Sequence, residues 1–109
     1  MADVVKAVMK TIVHIEALDG NNIKTIEQKA QTFLSTTRDR YGSIGLMEWD
    51  GVFLKIYIDL PFPVSEPSVT TNFVEDATDV IASLKKAKTI ATGEVETEYV
   101  AYDATAFQA

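Results

Sequence analysis

One histidine, His14, and three glutamates set two residues apart, Glu94, Glu96 and Glu98, are the side chains best suited to chemistry. An imidazole held against a carboxylate can act as a general base, so His14 with Glu96 or Glu98 is the catalytic pair the chain allows. A lone histidine on a strand surface is more often an ordinary cross-strand partner. Three carboxylates offer hard oxygen ligands of the kind calcium and magnesium prefer. Alternation along a strand fans them over two repeats, however, so one ion could not meet all three, and no metal or cofactor is expected. There is no cysteine, which removes thiol nucleophiles, thiolate metal sites and disulfides. No glycine-rich phosphate loop accompanies them. Arg38-Asp39-Arg40 could grip an anion, but its place at a helix end is explained by the helix dipole.

The elements that must position these residues centre on Ser43 to Leu60, SIGLMEWDGVFLKIYIDL. Asp50-Gly51 reads as a two-residue type I′ loop. That register pairs Trp49 with Val52, Met47 with Leu54, Gly45 with Ile56 and Ser43 with Ile58, and turns most of the apolar side chains to one face. The other face carries Ile44, Leu46 and Glu48 opposite Tyr57, Lys55 and Phe53. It is too apolar for a solvated surface and too polar for a sealed interior, and so reads as a contact surface.

Before the hairpin, Val4 to Ala17 fits both a helical stripe and a strand alternation. Seven of its fourteen residues are β-branched, which decides for a strand whose outward positions are Lys6, Val8, Lys10, Ile12, His14 and Glu16. Ile23, Ile26, Ala30, Phe33, Leu34 and Thr37 then fall on helical spacing, predicting a helix from about Asn22 to Arg40, capped by an Asn and stopped by Gly42. The three prolines mark Pro61 to Val69 as an extended connector in which Phe62 is a rigid anchor or a core cap. Asn72 with Glu75 suggests a capping box for a second helix, whose buried stripe is Phe73, Ala77, Val80, Ile81 and Leu84. After Gly93 a last strand sends Val95, Thr97, Tyr99 and Ala101 one way and Glu94, Glu96, Glu98, Val100 and Tyr102 the other. Phe107 is the one large apolar residue of the tail.

The order strand, helix, strand, strand, helix, strand predicts a single α+β domain over 1–109 with the ferredoxin-like βαββαβ plan, an antiparallel sheet with two helices on one face. The first and last strands would then pair, bringing Lys10 and His14 to the glutamates. Val8, Ile12, Ile44, Leu46, Phe53, Lys55, Tyr57, Val100 and Tyr102 would share the uncovered face, with a charged end and an apolar-aromatic end.

Composition narrows the function. Net charge is −6, and residues 42–109 hold four basic against eleven acidic side chains, a balance that repels phosphate backbones and argues against a nucleic-acid partner. Phe53 and Tyr57 on one strand face suggest a base-stacking sheet, but the basic and glycine positions of an RNA-recognition signature are missing. The N-terminus has no signal-like apolar run and no segment approaches a membrane span, so a soluble, unprocessed, cytoplasmic protein with no membrane partner is expected. The expected function is non-catalytic: a small binding or assembly protein that self-associates, as a homodimer or higher homo-oligomer, through its open sheet face. Two alternatives remain. One is a dimeric α+β barrel-type enzyme or small-ligand binder with a cavity around His14, lined by Phe53, Tyr57 and Tyr102. The other is a structural subunit of a larger particle, such as a phage or virus component.

Overall fold

The computed structural model describes residues 4–63 and 68–103, with the side chains of residues 8–61 and 68–100. The side chains of Val5, Lys6, Ala7, Phe62, Ala101 and Tyr102, residues 64–67 of the connector and the tail with Phe107 lie outside the described residues. In chain order the elements are β1 (Val4–Ala17), a short 3₁₀ turn (Gly20–Asn22), α1 (Ile23–Tyr41), β2 (Gly45–Asp50), β3 (Phe53–Pro63), α2 (Ser68–Lys86) and β4 (Ile90–Asp103). They form an α+β domain: a four-stranded antiparallel sheet, ordered β2-β3-β1-β4, with two helices.

Alternation in the strands and the 3.6-residue period in the helices converge on one core. Met9, Val13, Ile15 and Ala17 from β1, Leu54, Ile56, Ile58 and Leu60 from β3, Ile26, Ala30 and Phe33 from α1, and Phe73, Ala77, Ile81 and Leu84 from α2 are buried together. Phe73 is fully buried at its centre, with the rings of Phe33 and Tyr41 each 5.8 Å away. Arg40 of α1 reaches Asp76 of α2 at 2.8 Å across the outer side of the helix pair. The β-branched run from Val4 is a strand, as its composition requires.

Five local expectations are corrected. The hairpin pairs Asp50 with Phe53, Trp49 with Leu54, Met47 with Ile56 and Gly45 with Ile58, so its loop is Gly51-Val52, not Asp50-Gly51. Gly51 takes φ +61° while Val52 stays out of that region, the arrangement of a II′-type loop that needs glycine first. The Ala17 amide donates to the Val52 carbonyl at 2.8 Å, so the end of β1 holds the loop in this register. Because the slip is two residues, each side chain keeps its face and changes only its partner.

At the start of α1, Asn22 is in the cap position but makes no side-chain cap bond. Asp19 instead accepts from the Asn21 amide at 2.8 Å and caps the 3₁₀ turn. Gly42, at φ 73°, ends the helix as predicted.

α2 begins at Ser68, so Asn72 and Glu75 lie inside the helix and form no capping box. The helix closes in a Schellman arrangement: Thr89 donates to the Leu84 carbonyl at 3.0 Å, Lys88 to that of Lys85 at 3.0 Å, and Lys88 holds the left-handed position at φ 57°.

β4 starts at Ile90, before Gly93, because an irregularity shifts its register: Glu16 pairs with Thr92 but Ala17 with Ile90. The extra residue turns Ile90 into the core. Pro61, Phe62 and Pro63 continue β3 rather than forming a separate connector. β2 reaches only as far as Ile58 on that side, leaving the end of β3 with the open edge that proline tolerates.

Candidate functional site

Antiparallel register turns the helix-free face into rows running across the strands. One row reads Asp50, Phe53, Glu16, Thr92; the next Glu48, Lys55, His14, Glu94; the next Leu46, Tyr57, Ile12, Glu96; then Asp59, Lys10, Glu98; and last Pro61, Val8, Val100. Ile44, just before β2, lines a groove with Asp59 and Lys10 and so belongs beside the fourth row. The expected division into a charged end and an apolar end is therefore wrong. Charged and apolar rows interleave, because the sequence alternates type every second residue on β1 and β3 together.

The apolar side chains on this face are not hidden by their neighbours. Ile44 is 76%, Leu46 68% and Phe53 53% exposed, while Val8, Ile12, Tyr57 and Val100 are half-buried. Lys55 is exposed between them. Charge is uneven across the face: Glu94, Glu96 and Glu98 crowd the β4 side, whereas Lys55 and Asp59 on β3 give both signs.

His14 does meet the glutamate row. Its Nε2 donates to Glu96 Oε2 at 2.9 Å, while Glu94 is its direct register partner and Glu98 lies opposite Lys10. The histidine side chain is 35% exposed and that of Glu96 65%, a surface pair in water, not a base held in a closed cavity. A shallow groove of about 270 Å³ beside it is lined by Glu16, Glu48, Asp50, Phe53, Lys55 and Thr92 along with His14. Phe53 shares that groove; Tyr57 lies one row away, and the side chain of Tyr102 is outside the described residues. Among the described residues no group of three or more His, Cys, Asp or Glu side chains could hold a metal ion, and no helix is long and apolar enough to cross a membrane.

Sequence reasoning missed Asp59 and Pro61 on this face. The signal was available, since both share the parity of Phe53, Lys55 and Tyr57; the expected boundary at Leu60 excluded Pro61, whereas Asp59 lay inside the expected strand but beyond the last pair read from the hairpin. No family model, curated protein or solved structure matches the chain.

Proposed function

We propose that the chain is a ferredoxin-like domain that works by assembly, two copies packing through the β2–β3 half of the open sheet face. The observation that carries this reading is the exposure of Ile44, Leu46 and Phe53 together on one face, a patch that a lone monomer would leave in water. The row pattern supports a second copy as occupant. A two-fold axis lying along the Leu46, Tyr57, Ile12 row sets that row on itself and exchanges the rows on either side. Lys55 of one copy then faces Asp59 of the other, and Phe53 faces Pro61. On the β4 side the same operation opposes Glu94 with Glu98 and Glu96 with itself, so the contact is confined to β2 and β3. Aligned packing of two sheets with interdigitated side chains accommodates such a contact.

Light scattering on a size-exclusion column tests this. Wild-type protein at micromolar concentration elutes as a dimer, and Leu46→Glu with Tyr57→Glu gives a monomer whose circular dichroism is unchanged. A wild-type monomer across that range overturns the proposal.

A further inference from the structure

The two edges of the sheet are unlike. β2 is six residues long, and one of its open-face side chains, Leu46, lies in the contact proposed above. β4 is fourteen residues long, and no described strand pairs with its outer side. Such an edge presents the amide and carbonyl groups of alternate residues without sheet partners, a template for another strand. Edges are commonly blunted by bulges or proline. Here the two register irregularities lie before Thr92 and after Tyr102, and from Thr92 to Tyr102 the pairing with β1 is unbroken and free of proline.

The side chains say which strand fits. Glu94, Glu96 and Glu98 lie on one face of this edge, all exposed. Glu96 has His14 as partner; among the described residues Glu94 and Glu98 form no ion pair. A second β4 is a poor occupant. Two such edges related by a two-fold axis, with their open faces on the same side, set carboxylate opposite carboxylate whether Val95, Glu96 or Thr97 is central. A strand with Lys or Arg at every second position matches instead, because both chains share the two-residue period. On the other face, exposed Thr97 and Tyr99 offer contact to the intervening side chains.

We infer that the outer edge of β4, from Thr92 to Val100, is a strand-addition site for an extended segment of protein carrying basic residues at alternate positions. This site is separate from the β2–β3 contact and does not depend on it. The test uses a fluorescein-labelled peptide alternating Lys and Thr and an isomer of the same composition with its lysines contiguous. Both are titrated by anisotropy into wild type and into the Leu46→Glu, Tyr57→Glu variant, so that failure of the self-association reading does not touch the outcome. The alternating peptide binds both proteins at least tenfold tighter than its isomer, and Glu94→Gln with Glu98→Gln weakens it by about tenfold. Binding also slows amide hydrogen exchange between Thr92 and Val100. Equal affinity for the two peptides, or exchange along β4 that does not change, overturns the inference.

Discussion

His14 reaches Glu96 diagonally: its direct partner across the strand pair is Glu94, yet its Nε2 sits 2.9 Å from the carboxylate two residues further along. Diagonal neighbours on a sheet face lie within reach of long side chains, so this contact needs no special backbone. Both groups are substantially in water, and such pairs contribute little. Glu96→Ala should therefore change stability by less than about 1 kcal/mol in urea unfolding, as should His14→Ala. A loss several times larger would show that the pair supports the fold in a way its exposure does not suggest.

Phe73 carries much more. It is fully buried between Phe33 and Tyr41, where truncation leaves a cavity that two helices and a sheet cannot all close. Phe73→Ala should cost about 3–5 kcal/mol, a large part of the stability of a domain this size, read as a lowered urea midpoint.

The hairpin loop separates two neighbouring positions. Gly51 holds φ +61°, where a Cβ is disfavoured, so Gly51→Ala should destabilise by about 1–2 kcal/mol. Asp50 is a strand residue on the exposed face, and Asp50→Ala should stay within about 0.5 kcal/mol of wild type. Equal losses at the two positions would favour the Asp-Gly loop after all.

Charge reversal tests the proposed pairing of Lys55 with Asp59 of the second copy. Lys55→Asp alone should weaken self-association by about tenfold or more, because it places like charges across the contact. Adding Asp59→Lys restores the opposition of signs and should recover most of the affinity in sedimentation equilibrium. A double variant as weak as Lys55→Asp alone would mean that the two residues do not meet.

Much of this architecture is legible in local sequence. The β-branched density of Val4 to Ala17 identifies a strand, helical spacing picks out Ile26, Ala30, Phe33, Phe73, Ala77, Ile81 and Leu84, and chain order brings Lys10 and His14 to the glutamates. What escapes local reading depends on distant partners. The hairpin register is held by Ala17, distant from the loop along the chain but bonded to it, and the early start of β4 by an irregularity opposite Glu16 and Ala17. α2 begins in Ser68, Val69, Thr70 and Thr71, residues of modest helix propensity, one of which, Thr70, is buried. Interleaving of charged and apolar rows emerges only when the parities of four strands are laid side by side. The open face was identified by its residues, but the imbalance of charge across it was not.

The position of β1 inside the sheet governs how the chain can be made. It pairs with β3 on one side and β4 on the other, and 82 positions separate His14 from Glu96. During synthesis β1 emerges well before either neighbour, and one of its sides stays unpaired until the last strand has left the ribosome. Contacts so distant in sequence slow folding, and the waiting strand is rich in β-branched residues that other nascent chains could recruit. A polypeptide stopped before Ile90 would keep the apolar alternation of β1 while lacking the strand that pairs with its second side, and would carry that side as an open edge of its own sheet.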